Sequence, residues 1–326
     1  MIFDDSERLC NFIQVICRLA WVLQIKTAKM YINLYHQIII SFICTQMRFH
    51  VLSDIHLEFF QHDHVPIDTF LTIPNEPKNH TLLLAGDIGY PWMNNYIHFM
   101  KDACKVFEHV LFILGNHEFY SNGKYTMEEI NVLASRMADE LKLENLHCLQ
   151  NQAFELKEEN LVILGTTLWS PISKQNESNI KHSISDYRCI SSTEKWNNIT
   201  CAEVTQHYNT NKKWLETQLT QLKQLQQVSN KQVIVLTHHV PSLTTLIADK
   251  YKGSPEKEAT NEAFGSNLEG LMEQFENLKY WVAGHTHTGF QTKIHHTQIR
   301  MNPRGYSIGE EKAENSNFIL DCIFDL

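Results

Sequence analysis

The sequence predicts an α/β fold, and two observations carry that reading. Five short apolar runs recur between residues 47 and 326, and each stops abruptly at polar residues. Between them lie stretches whose apolar residues recur at helical spacing. Short apolar runs bounded by Gly and polar residues suit buried strands. In open α/β sheets ligands bind outside the carboxyl ends of the strands. The residues that end these runs are therefore the candidate site.

Residues 49–52 form the first run and end at Ser53-Asp54-Ile55-His56. Residues 81–85 end at Gly86-Asp87, and residues 110–114 end at Gly115-Asn116-His117-Glu118. Residues 233–236 end at Thr237-His238-His239, and residues 280–283 end at Gly284-His285-Thr286-His287. Helices are expected between them. Ile97, Met100, Cys104 and Phe107 share one helical face. Thr126 with Glu129 resembles a capping box ahead of Ile130, Leu133, Met137 and Leu141. Thr200 with Glu203 repeats that pattern ahead of Val204, Tyr208, Leu215, Leu219 and Leu222. These stripes read as core faces. Residues 170–198 are polar with little periodicity and read as a surface excursion near the site, a partial lid. Residues 249–266 read as another loop, and there is no internal repeat.

With 326 residues, 43% of them apolar and 20% charged, the chain is long enough to bury its core without disulfides. Collagen-like, low-complexity and disordered classes are excluded. The formal charge is −9, so there is no overall basic face of the kind nucleic-acid binders carry. None of the eight cysteines forms a C-x-x-C pair. They read as reduced, mostly buried thiols of a cytoplasmic protein.

Residues 1–46 differ from the rest. Residues 30–47 carry no charge, which suggests a membrane segment, but Asn33, His36, Gln37, Ser41, Thr45 and Gln46 interrupt it. The acidic opening, Asp4, Asp5 and Glu7, is unlike a signal peptide. Met47 begins a complete first strand, MRFHVLSDIHLE. The first 46 residues are expected to be a dispensable or mis-assigned extension, with a helix packed on the domain or a membrane anchor as alternatives. Residues 47–326 are expected to be the working domain.

Singly, the terminal clusters are as compatible with turns and satisfied core histidines as with a site. Jointly they are not. Asp54, His56, Asp87, Asn116, His238, His285 and His287 arrive in order, each at a strand end. Imidazoles and carboxylates together suit borderline to hard divalent cations. Two such ions, one carboxylate bridging them, lower the pKa of a bridging water, bind phosphate oxygens and neutralise charge in an in-line displacement. A nearby imidazole can protonate the leaving oxygen.

The order D-x-H, G-D, G-N-H-E, H, G-H-x-H resembles the calcineurin-like metallophosphoesterases, from Met47 to about Tyr306. The resemblance implies a four-layer αββα sandwich and two divalent metal ions, Mn²⁺ foremost, with Fe, Zn, Co or Ni as alternatives. It implies that Asp54, His56 and His287 hold the first metal, that Asp87 bridges, and that Asn116, His238 and His285 hold the second. His238 is favoured over His239 because it directly follows the strand. His117 would be the general acid, with Glu118 supporting it. Residues 165–169 would start a further core strand, and Asn302-Pro303-x-Gly305-Tyr306 would be the closing turn. Arg188 is a candidate phosphate clamp and Tyr120 a candidate pocket residue, with solvated or structural roles as the alternatives.

The expected function is metal-dependent hydrolysis of a small-molecule phosphoester, a diester slightly favoured over a monoester. A phosphoprotein phosphatase and a non-catalytic interaction scaffold on the same fold are the alternatives. The full ligand set and His117 weigh against the scaffold. A membrane is not an expected partner, and the oligomeric state is not readable from the sequence.

Overall fold

A computed structural model describes residues 47–225, 231–306 and 313–326. The extension at residues 1–46 lies outside the described residues. Met47–Leu326 forms one compact unit. In chain order its elements are β1 (Arg48–Leu52), β2 (His80–Ala85), α1 (Asn94–Val106), β3 (His109–Ile113), α2 (Met127–Leu141), β4 (Leu146–Cys148), β5 (Gln152–Leu156) and β6 (Leu161–Thr166). Then follow α3 (Glu177–Ser183), α4 (Asp186–Cys189), α5 (Cys201–Leu225), β7 (Gln232–Thr237), α6 (Pro255–Asn261), α7 (Glu269–Gln274), β8 (Leu278–Ala283), β9 (Phe290–Ile294), β10 (Thr297–Met301) and β11 (Ile323–Asp325).

Two sheets result, in the orders β11-β1-β2-β3-β4 and β5-β6-β7-β8-β10-β9. The pairs β1-β2-β3-β4 and β6-β7-β8-β10 are parallel, while β11, β5 and β9 add antiparallel edges. Side chains alternate across each strand. Phe49, Val51, Leu83, Leu111, Ile113, Ile163, Ile234 and Leu236 share one core. That core lies between the sheets, which meet through β2 against β7 and β8, and β3 against β6. Their neighbours Leu82, Leu84, Val110, Phe112, Val162, Leu164, Val233 and Val235 belong to the core shared with the helices. There α1 packs on β3, α2 on β4 and α5 on β6. The fold is the four-layer αββα sandwich. Strands covered on both faces need apolar residues at every position, which is why they stand out as continuous runs in the sequence.

Both capping boxes form. The Thr126 and Thr200 N–H groups each donate to the carboxylate three residues on, at 2.8 Å, and Glu129 and Glu203 N–H groups donate back to the hydroxyls at 3.2 Å. Three local expectations are corrected. Residues 165–169 end a strand rather than start one, because β6 begins at Leu161. Residues 170–198 run over the surface beside the site, as expected, but are not without regular structure: they contain α3 and α4, with Ile180, Tyr187 and Ile190 buried. Residues 249–266 contain α6, capped by Ser254. These helices are seven residues or fewer, too short for a helical period to register.

One buried histidine predicts an acid-sensitive fold. His50, on β1, lies 2.8 Å from His80 (Nε2 to Nδ1) and edge-on to Phe107. Burial, with His80 beside it, pushes the His50 pKa down to about 4. The unfolded chain then binds the extra proton between about pH 6.5 and pH 4, so stability falls as the pH drops through that window, by up to ~1.4 kcal/mol per pH unit. In denaturant titrations at pH 7 and pH 5, His50→Leu is expected to lose less stability on acidification than the parent. An unchanged loss would assign the acid sensitivity elsewhere.

Candidate metal centre

Five parallel strands deliver the predicted residues to one edge of the sandwich. β1 delivers Asp54 and His56, β2 delivers Asp87, and β3 delivers Asn116, His117 and Glu118. From the second sheet, β7 delivers His238, and β8 delivers His285 and His287. Five of these residues, Asp54, His56, Asp87, His285 and His287, have left-handed backbone with φ between 47° and 71°. Such conformations cost about 1–3 kcal/mol each and persist only where surrounding contacts impose them. The contacts are backbone ties between neighbouring strand ends. Asp54 N–H donates to Gly86 O and His56 N–H to Asp87 O, both at 3.0 Å. Gly284 N–H reaches His238 O at 3.0 Å, and His285 N–H reaches Asp54 Oδ1 at 2.9 Å.

The side chains gather in adjoining groups. Donor atoms of Asp54, His56 and His287 lie within 4.8 Å of one another, as do those of Asp87, His238 and His285. His56, Asp87 and His117 satisfy the same criterion. Asp87 Oδ2 stands 3.9 Å from His56 Nε2 and 3.4 Å from His238 Nε2, so it faces both groups. The other ring nitrogens are occupied. His238 Nδ1 donates to Ala85 O at 2.8 Å, His56 Nδ1 meets Glu58 at 3.1 Å, and His287 Nδ1 meets Glu314 at 2.7 Å. In those tautomers the opposite Nε2 atoms are bare acceptors. Yet His56 Nε2 and His287 Nε2 face each other at 3.1 Å; with His238 neutral, its Nε2 would likewise face Asn116 Oδ1 at 3.0 Å as acceptor against acceptor. Acceptors converging without a proton between them fit a cation.

The electrostatics agree. Burial alone would push His117 and His238 down, but the Asp87 carboxylate lifts them to about 9 and about 10. Burial opposes ionisation of Asp87, yet His238 and His117 hold it well below the ordinary carboxylate range. The pocket's acids demand positive charge, which divalent ions would supply with the imidazoles neutral.

The sequence profile of the calcineurin-like phosphoesterases matches residues 47–289. The chain belongs to the calcineurin-like phosphoesterase family. An uncharacterized protein of Acanthamoeba polyphaga mimivirus is 28% identical over 274 residues, covering 82% of this chain and 92% of its own. In fold the chain resembles the phosphopantetheinyl hydrolase PptH of Mycobacterium tuberculosis, with a TM-score of 0.59 and 15% identity over 81% of this chain and 91% of that one. The protein is thus a metallophosphoesterase, a hydrolase of phosphoesters that works with divalent metal ions.

Within this phosphoesterase, His239 stands outside all three groups. It is sealed between Trp169 and the His285 ring, its Nδ1 lies 3.3 Å from Thr167 O, and burial with the adjacent His238 pushes it down to about 3. Glu118 does not touch His117. Its carboxylate accepts N–H bonds from Asp87, Ile88 and Gly115 at 2.7–2.9 Å and so stitches β2 to β3. Glu58 is the partner of His117, accepting from its Nδ1 at 2.9 Å. Arg188 is exposed and donates to His182 O and Ser185 Oγ; it does not line the site cavity. Two residues earlier, Asp186 is buried at the site. It accepts from Tyr120 Oη at 2.5 Å and from Asn116 Nδ2 at 2.9 Å, which turns Asn116 Oδ1 toward His238. Tyr120 lines the cavity and stacks on His117 at 4.1 Å.

Sequence reasoning passed over Glu58, Asp186 and Glu314. Glu58 sat two residues beyond His56 in the first motif, a readable signal. Asp186 neighboured the chosen Arg188, and nothing in the sequence separated them. Glu314 reaches His287 only through the closing turn. There Pro303 bridges to Ser53, Arg304 N–H donates to Ser53 O at 3.0 Å, and Tyr306 Oη lies 3.2 Å from His117 Nε2.

Gly115 marks how tightly the centre is packed. A Cβ there would lie 2.2 Å from Asp87 Oδ1 and 2.8 Å from His238 Cε1. Gly115→Ala is therefore expected to fold with a lowered melting temperature and to take up fewer metal ions, measured by thermal denaturation and elemental analysis. Normal metal content would show that the strand ends can give way.

Proposed function

We propose that the protein is a phosphodiesterase acting on a small molecule. The supporting observation is the cavity over the metal centre. Its volume is about 270 Å³, and beyond the candidate ligands and His117 its acidic lining among the described residues is Asp186 and Glu314. Burial pushes the Asp186 pKa up, whereas the hydrogen bond from His287 holds Glu314 in its ionised range, so Glu314 carries the charge. A carboxylate beside the phosphoryl position disfavours a dianionic monoester more than a monoanionic diester.

In this reading Asp54, His56 and His287 hold one metal ion, Asn116, His238 and His285 the other, and Asp87 serves both. Mixed imidazole, carboxylate and amide donors suit Mn²⁺, with Fe, Zn, Co or Ni as alternatives. Bound there, the ions supply Lewis acidity toward the phosphoryl oxygens and the attacking water. His117 is cationic, because Asp87 and Glu58 raise it to about 9 against the cost of burial; its Nδ1–H is donated to Glu58 and its second proton sits at Nε2, on the cavity side. From there it donates that proton to the departing alkoxide as the P–O bond breaks, and water supplies the oxygen of the new P–O bond. Tyr306 Oη orients the same ring from the closing turn. Residues 47–326 are proposed as the complete catalytic unit, and the family match also begins at residue 47. A cytoplasmic location fits the free thiols among the described residues, Cys104, Cys148, Cys189, Cys201 and Cys322. Among the described residues no helix is long and apolar enough to cross a membrane.

Chelator-stripped protein resupplied with Mn²⁺ is expected to hydrolyse bis-p-nitrophenyl phosphate faster than p-nitrophenyl phosphate. The reverse order would overturn the diesterase reading and favour a monoesterase, the phosphoprotein phosphatases included. His117→Ala should lower turnover by about 10²–10⁴-fold while metal content stays near two ions. A matching loss of metal would make His117 a ligand. Asp87→Ala is expected to empty both positions, and retention of two tight ions would exclude a shared carboxylate.

A further inference from the structure

The cavity has two unlike halves. One is the metal centre with His117. The other is built by segments outside the metal motifs: Ile184 between α3 and α4, then Ile247, Tyr251, Ala263 and Phe264 around α6. We propose that this second half is the subsite for a planar, ring-bearing arm of the phosphoester, an aryl or heteroaryl group carried on a phosphoryl oxygen. The proposal deepens the phosphoesterase reading and rests on it.

Three observations carry it. First, the wall adjoins the reacting position. The Phe264 ring centroid lies 5.0 Å from that of His285, a candidate ligand. A substituent on a phosphoryl group held at the metal centre reaches this wall within one ring's length. Second, the wall presents apolar surface to solvent beside a strongly charged site. Tyr251 is 39% exposed and Phe264 half-buried, over a floor of buried Ile247 and Ala263. Apolar surface rimmed by polar groups at a concave site marks ligand contact. Lys250 Nζ covers one face of Tyr251 at 4.7 Å; its other face, with Phe264, is aromatic surface that favours a flat ring over a chain.

Third, the wall is held in place by the protein itself. Val240 bridges to Gly265 and Ser242 to Asn267. Ser242 Oγ bonds Glu269, and Thr245 Oγ1 donates to the same carboxylate at 3.0 Å. Asn261 Nδ2 donates to Tyr251 O at 2.9 Å, and Ser170 Oγ to Ala263 O at 3.1 Å. A preformed wall loses little entropy when a ring docks on it.

The test is calorimetry on the Mn²⁺-loaded full chain with three non-hydrolysable probes: methyl-, n-hexyl- and benzylphosphonate. Benzylphosphonate is expected to bind about tenfold tighter than methylphosphonate, from the ring face removed from water. Tyr251→Ala should erase several-fold of that preference, and Ile184→Trp should block benzylphosphonate by filling the space. Methylphosphonate affinity should be unchanged in both. Equal affinities for benzyl and methyl probes, a preference unaltered in both variants, or hexyl matching benzyl would overturn the ring subsite. In each of those cases methylphosphonate still binds and the metal-centre reading stands. If no phosphonate binds the metal-loaded protein, the ring subsite is overturned, and the phosphoesterase reading falls with it only when bis-p-nitrophenyl phosphate is not hydrolysed by the same preparation.

Discussion

The molecule is organised around a concentration of buried negative charge. Asp54 and Asp87 are sealed from solvent and the Glu58 carboxylate is 2% exposed; Glu118, also sealed, is pushed up to about 8 by burial and by Asp87 beside it. Removing carboxylates from water costs several kcal/mol each unless partners replace the water. Each acid has been given a different partner. Glu118 takes three backbone N–H groups, Asp54 takes His285 N–H, Glu58 takes two imidazoles, and Asp87 takes His117 N–H while its other oxygen faces two ring nitrogens. Against the cost of burial, Asp87 is held ionised by His238 and His117 and faces both ligand groups, where divalent cations would supply that positive charge instead.

That constraint explains the backbone around it. Bringing two carboxylates and four imidazoles to one edge requires strand ends that turn sharply and approach each other closely. The turns appear as five non-glycine residues in left-handed conformation, and the approaches as Gly115 and Gly284, where a Cβ would meet Asp87 or Asp54 at 2.2 and 2.6 Å. Strain of this kind survives because two packed sheets anchor the strands behind it. The inter-sheet core around Leu83, Ile113, Ile234 and Leu236 holds those strand ends in register across the sandwich.

The segments that carry no metal motif have a separate task. Residues 170–198 supply Asp186, which orients Asn116 and Tyr120, and Ile184, which lines the cavity. The segment around α6 supplies the facing wall. Chemistry comes from the strand ends, and the shape presented to the substrate comes from these short helices.

Much of this was legible in the sequence, for a definite reason. Strands buried on both faces write themselves as apolar runs, and the polar residues that stop them are the site. Five such runs sufficed to assign an α/β fold and to name the residues at its strand ends; the four-layer sandwich came from the resemblance those residues carry. The capping boxes at Thr126 and Thr200 were equally legible, because capping is local. The short helices α3, α4 and α6 were not, since they span too few residues for a period. Nor were the long-range partners. That Glu58 rather than Glu118 meets His117, that Asp186 rather than Arg188 enters the site, and that Glu314 backs His287 depend on which side chains converge after the two sheets pack. The sequence by itself determined the class of fold and the donor atoms, because burial and ligand chemistry are written in residue type. Only the tertiary structure decided their partners and the cavity wall, because those are distances between residues far apart in the chain.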